Sequence, residues 1–374
     1  MGNRSKLEMS IIPFFGIHRQ YQNLREEILD ITDRVYSTGR VLDGEYTREF
    51  EKQIAKRTHR TYALAVNSGT QALIFSLYAT VNHTPYAVLI PAVSFVATIN
   101  SVLMNNFTPV FCDIDHKGLI DLDSYEHKLD ASVGAIMYVN LFGNCINYDR
   151  FRIQTEFFND KLKIVEDAAQ SFGASYKGIP SGKMGDVSVL SFDPTKNLNN
   201  YGSGGMILTD DYDIFLTCRL LRDNGKPSHD SAGTNSKMSE ADCAQLLVKL
   251  KYFDAWQQRR TDIANYYIDQ LYPYCDILTA NQDVTHSWHK FVIRTNARNS
   301  LMHQLSLAGI ESKIHYEHAL YDMGVGFNYI DYSRDLYTES AAFTRECLSL
   351  PIYPELTDGE VEAVAAVVKN YLSN

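Results

Sequence analysis

Three stretches of the chain carry side chains whose types and spacing suit chemistry. Val165-Glu166-Asp167-Ala168-Ala169-Gln170 is an apolar run ending in an acid. Such a run reads as a strand with Asp167 at its C-terminal end, in the crevice where α/β proteins bind ligands. On its own, Asp167 could be a ribose contact, a metal ligand or a structural acid. Ser191-Phe192-Asp193-Pro194-Thr195-Lys196-Asn197-Leu198, closed by Gly202-Ser203-Gly204-Gly205, sets a lysine on a loop between two apolar strands. A lone lysine is ordinarily a solvated charge, but Lys196 comes 29 residues after Asp167 and five after Ser191. Asn67-Ser68-Gly69-Thr70 is a small turn between a strand and a helix. Its backbone N–H groups and the helix dipole favour a phosphate, although alone it reads as an ordinary helix cap.

Taken together, these stretches match what pyridoxal phosphate (PLP) asks of a protein. The cofactor is an electron sink that the protein orients and tunes. It needs a lysine to form the imine, an acid to keep the pyridine nitrogen protonated, a phosphate cradle and something flat against the ring. A carboxylate about 4 Å from the ring nitrogen contributes on the order of 4 kcal/mol at an effective dielectric near 20. That is about a thousandfold in the protonation equilibrium, enough to keep the ring cationic at neutral pH.

The elements that must position these residues alternate. Tyr21, Leu24, Ile28, Ile31 and Val35 recur at helical spacing, predicting a helix over residues 19–38 that Gly39 stops. A second helix is expected near 46–57, a strand at Tyr62–Val66 and a helix from Gln71 to Ala79. Strands follow at Ala87–Ile90, Thr108–Asp113, Ala135–Val139 and Lys163–Glu166, with a helix at Phe95–Met104. Val187–Phe192 and Gly205–Thr209 are two more strands, joined through the glycine-rich turn. This alternation predicts a mainly parallel sheet with helices on both faces. One long helix near 239–270 bridges to a second part with strands at Lys290–Arg294, Ser312–Tyr316 and Leu348–Pro351 and a terminal helix at Leu356–Leu372. The expectation is an α/β chain of two domains, residues 1–255 and 256–374, without repeats or low-complexity linkers.

Bulk properties narrow the function classes. The 374 residues are 45% apolar and 21% charged, ordinary for a soluble globular protein. A formal net charge of −10 argues against a nucleic-acid-binding surface. The six cysteines are widely spaced with no C-x-x-C pair, so neither a metal site nor a disulfide framework is expected, and free thiols fit a cytoplasmic protein. The first residues, MGNRSKLEMSIIPFFG, lack the apolar core of a signal peptide, and no stretch approaches a membrane span.

The motifs FEKQIA (50–55), NSGTQAL (67–73), PAVSFVATINSV (91–102), VEDAAQSFGASYKG (165–178) and GDVSVLSFDPTKNLNNYGSGGMILTDD (185–211) resemble the DegT/StrS-type nucleotide-sugar aminotransferases, of the fold-type I PLP enzymes. RLLRDNG (219–225), GTNSKMSEADCAQ (233–245), KIHYEHAL (313–320) and LSLPIYPELTDGEV (348–361) continue the resemblance in order over nearly the whole chain. The resemblance implies a large PLP-binding domain built on a seven-stranded sheet and a smaller C-terminal α/β domain. It implies that Lys196 forms the imine and shuttles the proton, Asp167 pairs with the pyridine nitrogen, and Gln170 bonds the ring hydroxyl. Phe95 is implied to stack on the ring, and Gly69, Thr70 and Ser191 to hold the phosphate. Asn235 is implied to reach the phosphate of the other subunit, hence a homodimer with a shared site. Phe95 and Ser191 could instead be core residues, and His315 and His318 either substrate contacts or surface histidines.

The implied reaction is a ping-pong transfer from L-glutamate to a nucleotide-linked keto-6-deoxyhexose, feeding surface polysaccharide or a glycoside. Asp193-Pro194-Thr195-Lys196-Asn197-Leu198, Asn235-Ser236-Lys237 and Ile314-His315-Tyr316 are nearer the subgroup acting at C3. Asp193, Lys237 and Glu317 depart from its commoner residues, which keeps a 4-keto sugar as the alternative. Lys196 argues against the dehydratases of the family, in which histidine replaces the lysine. No cysteine stands in a desulfurase-like motif. A non-catalytic regulatory protein of the same fold would be expected to have lost Lys196, Asp167 or Gln170, and all three are present.

Overall fold

Seven strands form the central sheet: β1 (Tyr62–Val66), β2 (Ala87–Pro91), β3 (Thr108–Cys112), β4 (Val133–Val139), β5 (Lys163–Asp167), β6 (Val187–Ser191) and β7 (Gly205–Thr209). The computed structural model describes residues 11–81, 86–129, 132–159, 161–330 and 337–373; residues 1–10, part of the stretch read for a signal peptide, lie outside them. The strand order is β1-β7-β6-β5-β4-β2-β3. Pairing is parallel from β6 through β3, and β7 runs antiparallel to both its neighbours. Val88, Leu89 and Ile90 of β2 have no exposed surface, as expected for a parallel sheet covered on both faces.

Eleven α-helices are described: α1 (Ile17–Thr38), α2 (Glu45–Arg57), α3 (Gly69–Val81), α4 (Ala97–Met104), α5 (Tyr148–Phe158), α6 (Tyr212–Arg222), α7 (Glu240–Leu250), α8 (Phe253–Leu271), α9 (Arg298–Leu307), α10 (Thr338–Glu346) and α11 (Asp358–Leu372). α1 buries Leu24, Ile28 and Val35 and ends where Gly39 turns left-handed, at φ 69°, with its N–H bonded to the Tyr36 carbonyl. α3 is apolar nearly all round and is packed against the sheet, burying Leu73, Phe75, Leu77 and Val81.

Two expectations need correction. The bridging helix over 239–270 is two helices, α7 and α8, because the chain tightens at Lys251 and Tyr252, whose N–H groups bond three residues back to Val248 and Lys249. Residues 312–316 form no strand; they meet the sheet at a single bridge, Lys313 with Ser349, and then turn their side chains into a cavity. The second sheet is β8 (Asp276–Ile277), β9 (Phe291–Arg294) and β10 (Cys347–Leu350), all antiparallel. It packs with Ile263, Tyr267, Leu271, Leu301, Leu305, Val364 and Val368 into a hydrophobic cluster of its own.

The adjacent acids at the end of β5 point to opposite faces, as strand geometry requires. Glu166 is wholly buried and accepts five hydrogen bonds, from Asn140 Nδ2, Ser181 Oγ, the Gly182 and Met184 N–H groups and Ser188 Oγ. Glu166→Gln would aim an amide at donors. It is expected to cost about 3 kcal/mol, read as a lower denaturant midpoint at unchanged m-value.

Candidate active site

Register brings the three chemical stretches to one edge of the sheet. Gly205, at the start of β7, pairs with Val66 on one side and Ser191 on the other. Asp167 pairs with Val139 and Val189. The turn after β1, the loop after β6 and the acid of β5 therefore open into the same crevice. A Cβ on Gly205 would fall 2.4 Å from the Ser68 carbonyl oxygen, so the turn at 67–70 can lie against β7 only because that position is glycine.

A cavity of about 360 Å³ occupies this edge. From the turn and α3 come Ser68, Gly69, Thr70 and Leu73; from β5 and the residues after it, Asp167, Ala169 and Gln170; from the loop, Ser191, Asp193, Thr195 and Lys196. Phe95 covers one side, and His289, Lys290, Lys313, His315 and Tyr316 close the other. Seven of the eight predicted site residues thus share one cavity. The eighth, Asn235, is exposed, pairs with Asp223 in an isolated bridge and is not among the lining residues. His315 lines the cavity, whereas His318 is exposed and does not.

Asp167 is 5% exposed and accepts from the Ala169 N–H at 3.1 Å and Thr98 Oγ1 at 3.4 Å. Burial raises its pKa, against the Ala169 N–H, the Lys196 charge and the Thr98 hydroxyl. Burial lowers that of Lys196, with Asp167 and Asp193 opposing. No hydrogen bond holds the Lys196 amine among the described residues, so it is free to react. The Gln170 amide is fixed at both ends, donating to Tyr316 OH at 3.0 Å and accepting from the Phe142 N–H at 3.2 Å. One Gln170 N–H remains for a ligand. Phe95 is 52% exposed, an apolar ring left bare at the cavity wall, with Tyr316 at 6.4 Å between centroids.

These residues fit PLP. A Cβ on Gly69 would meet Ser191 Cβ at 2.8 Å, so the cradle closes only around glycine and leaves backbone N–H groups and the Ser191 and Thr70 hydroxyls for a phosphate. A reactive amine, a buried carboxylate and a bare aromatic face complete the requirement.

Residues missing from the sequence reading are Tyr316 as the support of Gln170, Thr98 behind Asp167, and the cationic wall of Lys290 and Lys313. The motifs PAVSFVATINSV and KIHYEHAL contain Thr98, Lys313 and Tyr316 without assigning them these roles, and Lys290 opens an expected strand.

Comparison with known proteins agrees with this geometry. The family model described as DegT/DnrJ/EryC1/StrS aminotransferase family matches residues 22–369. A Geobacillus stearothermophilus protein named pleiotropic regulatory protein is 31% identical, over 96% of this chain and 98% of its own length. The dTDP-3-amino-3,6-dideoxy-alpha-D-galactopyranose transaminase of Aneurinibacillus thermoaerophilus is also 31% identical, over 96% of this chain and 99% of its own. The crystal structure of Streptomyces venezuelae DesV in complex with a ketimine intermediate superposes with a TM-score of 0.93 at 30% identity, covering 97% of this chain and 99% of that one.

Proposed function

The chain belongs to the DegT/DnrJ/EryC1/StrS aminotransferase family and is a PLP-dependent enzyme, and within that family we propose that it moves the amino group of L-glutamate onto C3 of a nucleotide-linked keto-6-deoxyhexose. The observation that carries this reading is the meeting of Lys196, Asp167, Gln170 and the Gly69–Ser191 cradle in one cavity. The name of the Aneurinibacillus relative, a 3-amino-sugar transaminase, supports amination at C3. A regulatory role, which the name of the Geobacillus relative suggests, would give no reason to keep this set together.

Bound PLP supplies an electron sink that weakens the bonds at the amino-bearing carbon. Lys196 would hold the cofactor through Nζ and would be the group that accepts and returns the proton of the donor carbon. Asp167 keeps a proton on the pyridine nitrogen. Gln170, fixed by Tyr316 and Phe142, directs its remaining N–H to the ring hydroxyl. Phe95 packs against the ring, and Gly69, Thr70 and Ser191 bind the phosphate. Asn235, exposed on this chain, serves the cavity of a second copy, and the working unit is a homodimer. Residues 1–255 act as the cofactor domain and 256–374 as the smaller one, a division that the separate hydrophobic cluster around α8, α9 and α11 supports. Six unpaired cysteines fit a cytoplasmic setting, and among the described residues no helix is long and apolar enough to cross a membrane.

The test is the absorbance of the purified protein with PLP, before and after L-glutamate. A visible band that bleaches with glutamate, and returns only with a 3-keto sugar nucleotide, is the expected result. Return with a 4-keto sugar moves the position, a band that glutamate leaves unchanged means another donor or reaction class, and no band at all favours the regulatory role. Gly69→Ala is expected to raise the PLP dissociation constant at least tenfold, because the new methyl displaces Ser191; fluorescence titration measures it.

A further inference from the structure

The wall facing the cofactor cradle carries two lysines, Lys290 and Lys313, that the cofactor itself does not use. Lys290 is 5% exposed, and its ammonium lies 4.5 Å from the Phe15 ring centroid and 5.2 Å from that of Phe14. Lys313, at the exposed rim, sets its ammonium 4.6 Å from the same Phe15 ring. Two lysine amines therefore share one aromatic ring, and among the described residues neither has a carboxylate within ion-pair distance. Backbone pairing fixes both: the Lys290 N–H bonds the Phe142 carbonyl at 3.3 Å, and Lys313 exchanges two hydrogen bonds with Ser349.

The surroundings do not neutralise them. Burial draws the Lys290 ammonium well below the usual lysine range, and Lys196, Arg260 and Lys313 add to this with only Asp193 opposing. His315 is held near 3 by burial and by Lys290, Lys313 and Lys196, so it is an uncharged neighbour. An amine kept in a ligand cavity without a counter-ion is costly unless a ligand supplies the charge. Aromatic rings steady the ammoniums but cannot replace an anion.

We propose that Lys290 and Lys313 form a carboxylate-binding subsite in the cofactor cavity, which takes a carboxylate of the amino donor or one carried by the keto-sugar. The inference rests on the function proposed above, since it is the ping-pong use of one cavity that brings donor and sugar to the same wall. A donor such as glutamate must place two carboxylates there, and a 6-deoxy sugar places none. A sugar oxidised at C6 would place one.

The test uses the PLP-loaded protein and calorimetry with unreactive probes. Glutarate, a dicarboxylate without an amine, stands for the donor, while UDP-glucuronate against UDP-glucose isolates a sugar carboxylate. Lys290→Met is expected to weaken glutarate at least tenfold with the visible cofactor band unchanged. Loss confined to the glucuronate advantage would assign the subsite to the sugar instead. Unchanged affinity in both arms, or loss of PLP itself, overturns the subsite. Lys313→Met, at the exposed rim, repeats the measurement should Lys290→Met fail to fold. A wild type without the visible band would remove the underlying function, whereas a band with unaltered carboxylate binding removes only this subsite.

Discussion

Lys196→Ala is expected to lower kcat for amino transfer by about 10⁴-fold, the upper end of what one proton-transferring group contributes, while the chain still folds. The amine sits in the cavity without a hydrogen-bonding partner, next to Asp167 and Asp193, and is the one group that the proposed reaction uses to carry the proton. Lys196→Arg is expected to be as inactive, because a guanidinium does not deprotonate. Stability should respond in the opposite sense. Burial lowers the folded-state pKa of Lys196 below its unfolded value, so between the two values the unfolded chain binds the extra proton. Wild-type stability therefore gains from this group as pH rises through that window. The alanine variant lacks the slope, and its stability relative to wild type should be most favourable at the acid end and decline toward alkaline pH. Single-turnover kinetics and denaturant titrations across pH separate the two effects. An alanine variant that still transferred amino groups at a wild-type rate would remove Lys196 from the reaction.

The parts of this site that could be read in the sequence are those written locally along the chain. The strand Tyr62–Val66 and its Ser68-Gly69-Thr70 turn, the acid ending β5 and the lysine loop after β6 each announce themselves within a few residues, through apolar runs punctuated by glycine and polar groups. What stayed hidden depends on distant partners. Gln170 and Tyr316 meet across 146 positions, and nothing near either residue signals the other. Lys290 opens the strand expected at Lys290–Arg294, where nothing local signals that its side chain faces a ligand cavity, yet the fold buries it there. The segment 312–316 has strand-like composition, but only Lys313 finds a pairing partner in β10. The break between α7 and α8 was equally silent, since Lys251 and Tyr252 are unremarkable helix residues and the tightening is a matter of packing.

Asp167→Asn is expected to lower kcat by about 10³-fold and to leave glutamate binding nearly unchanged. Asparagine preserves shape and can still accept the Ala169 N–H at 3.1 Å, so the loss reports charge rather than packing. A carboxylate about 4 Å from a pyridinium contributes on the order of 4 kcal/mol at an effective dielectric near 20, about a thousandfold in protonation. Without it the ring nitrogen is unprotonated at neutral pH, and the electron sink weakens by a comparable factor. The buried setting strengthens the argument: burial raises the Asp167 pKa by more than the Ala169 N–H, the Lys196 charge and the Thr98 hydroxyl lower it, so this carboxylate is held at a cost that a bound cation offsets. Without PLP, Asp167→Asn should therefore be more stable than wild type above the raised Asp167 pKa, with the advantage fading as pH falls and the acid protonates, and it should lose that advantage when PLP is added. Glutamate should retain its wild-type half-saturation in the first half-reaction while the rate of band bleaching falls, because the missing charge acts on the bond-breaking step. A variant with full bleaching rate would mean that the Asp167 charge is not what keeps the ring protonated.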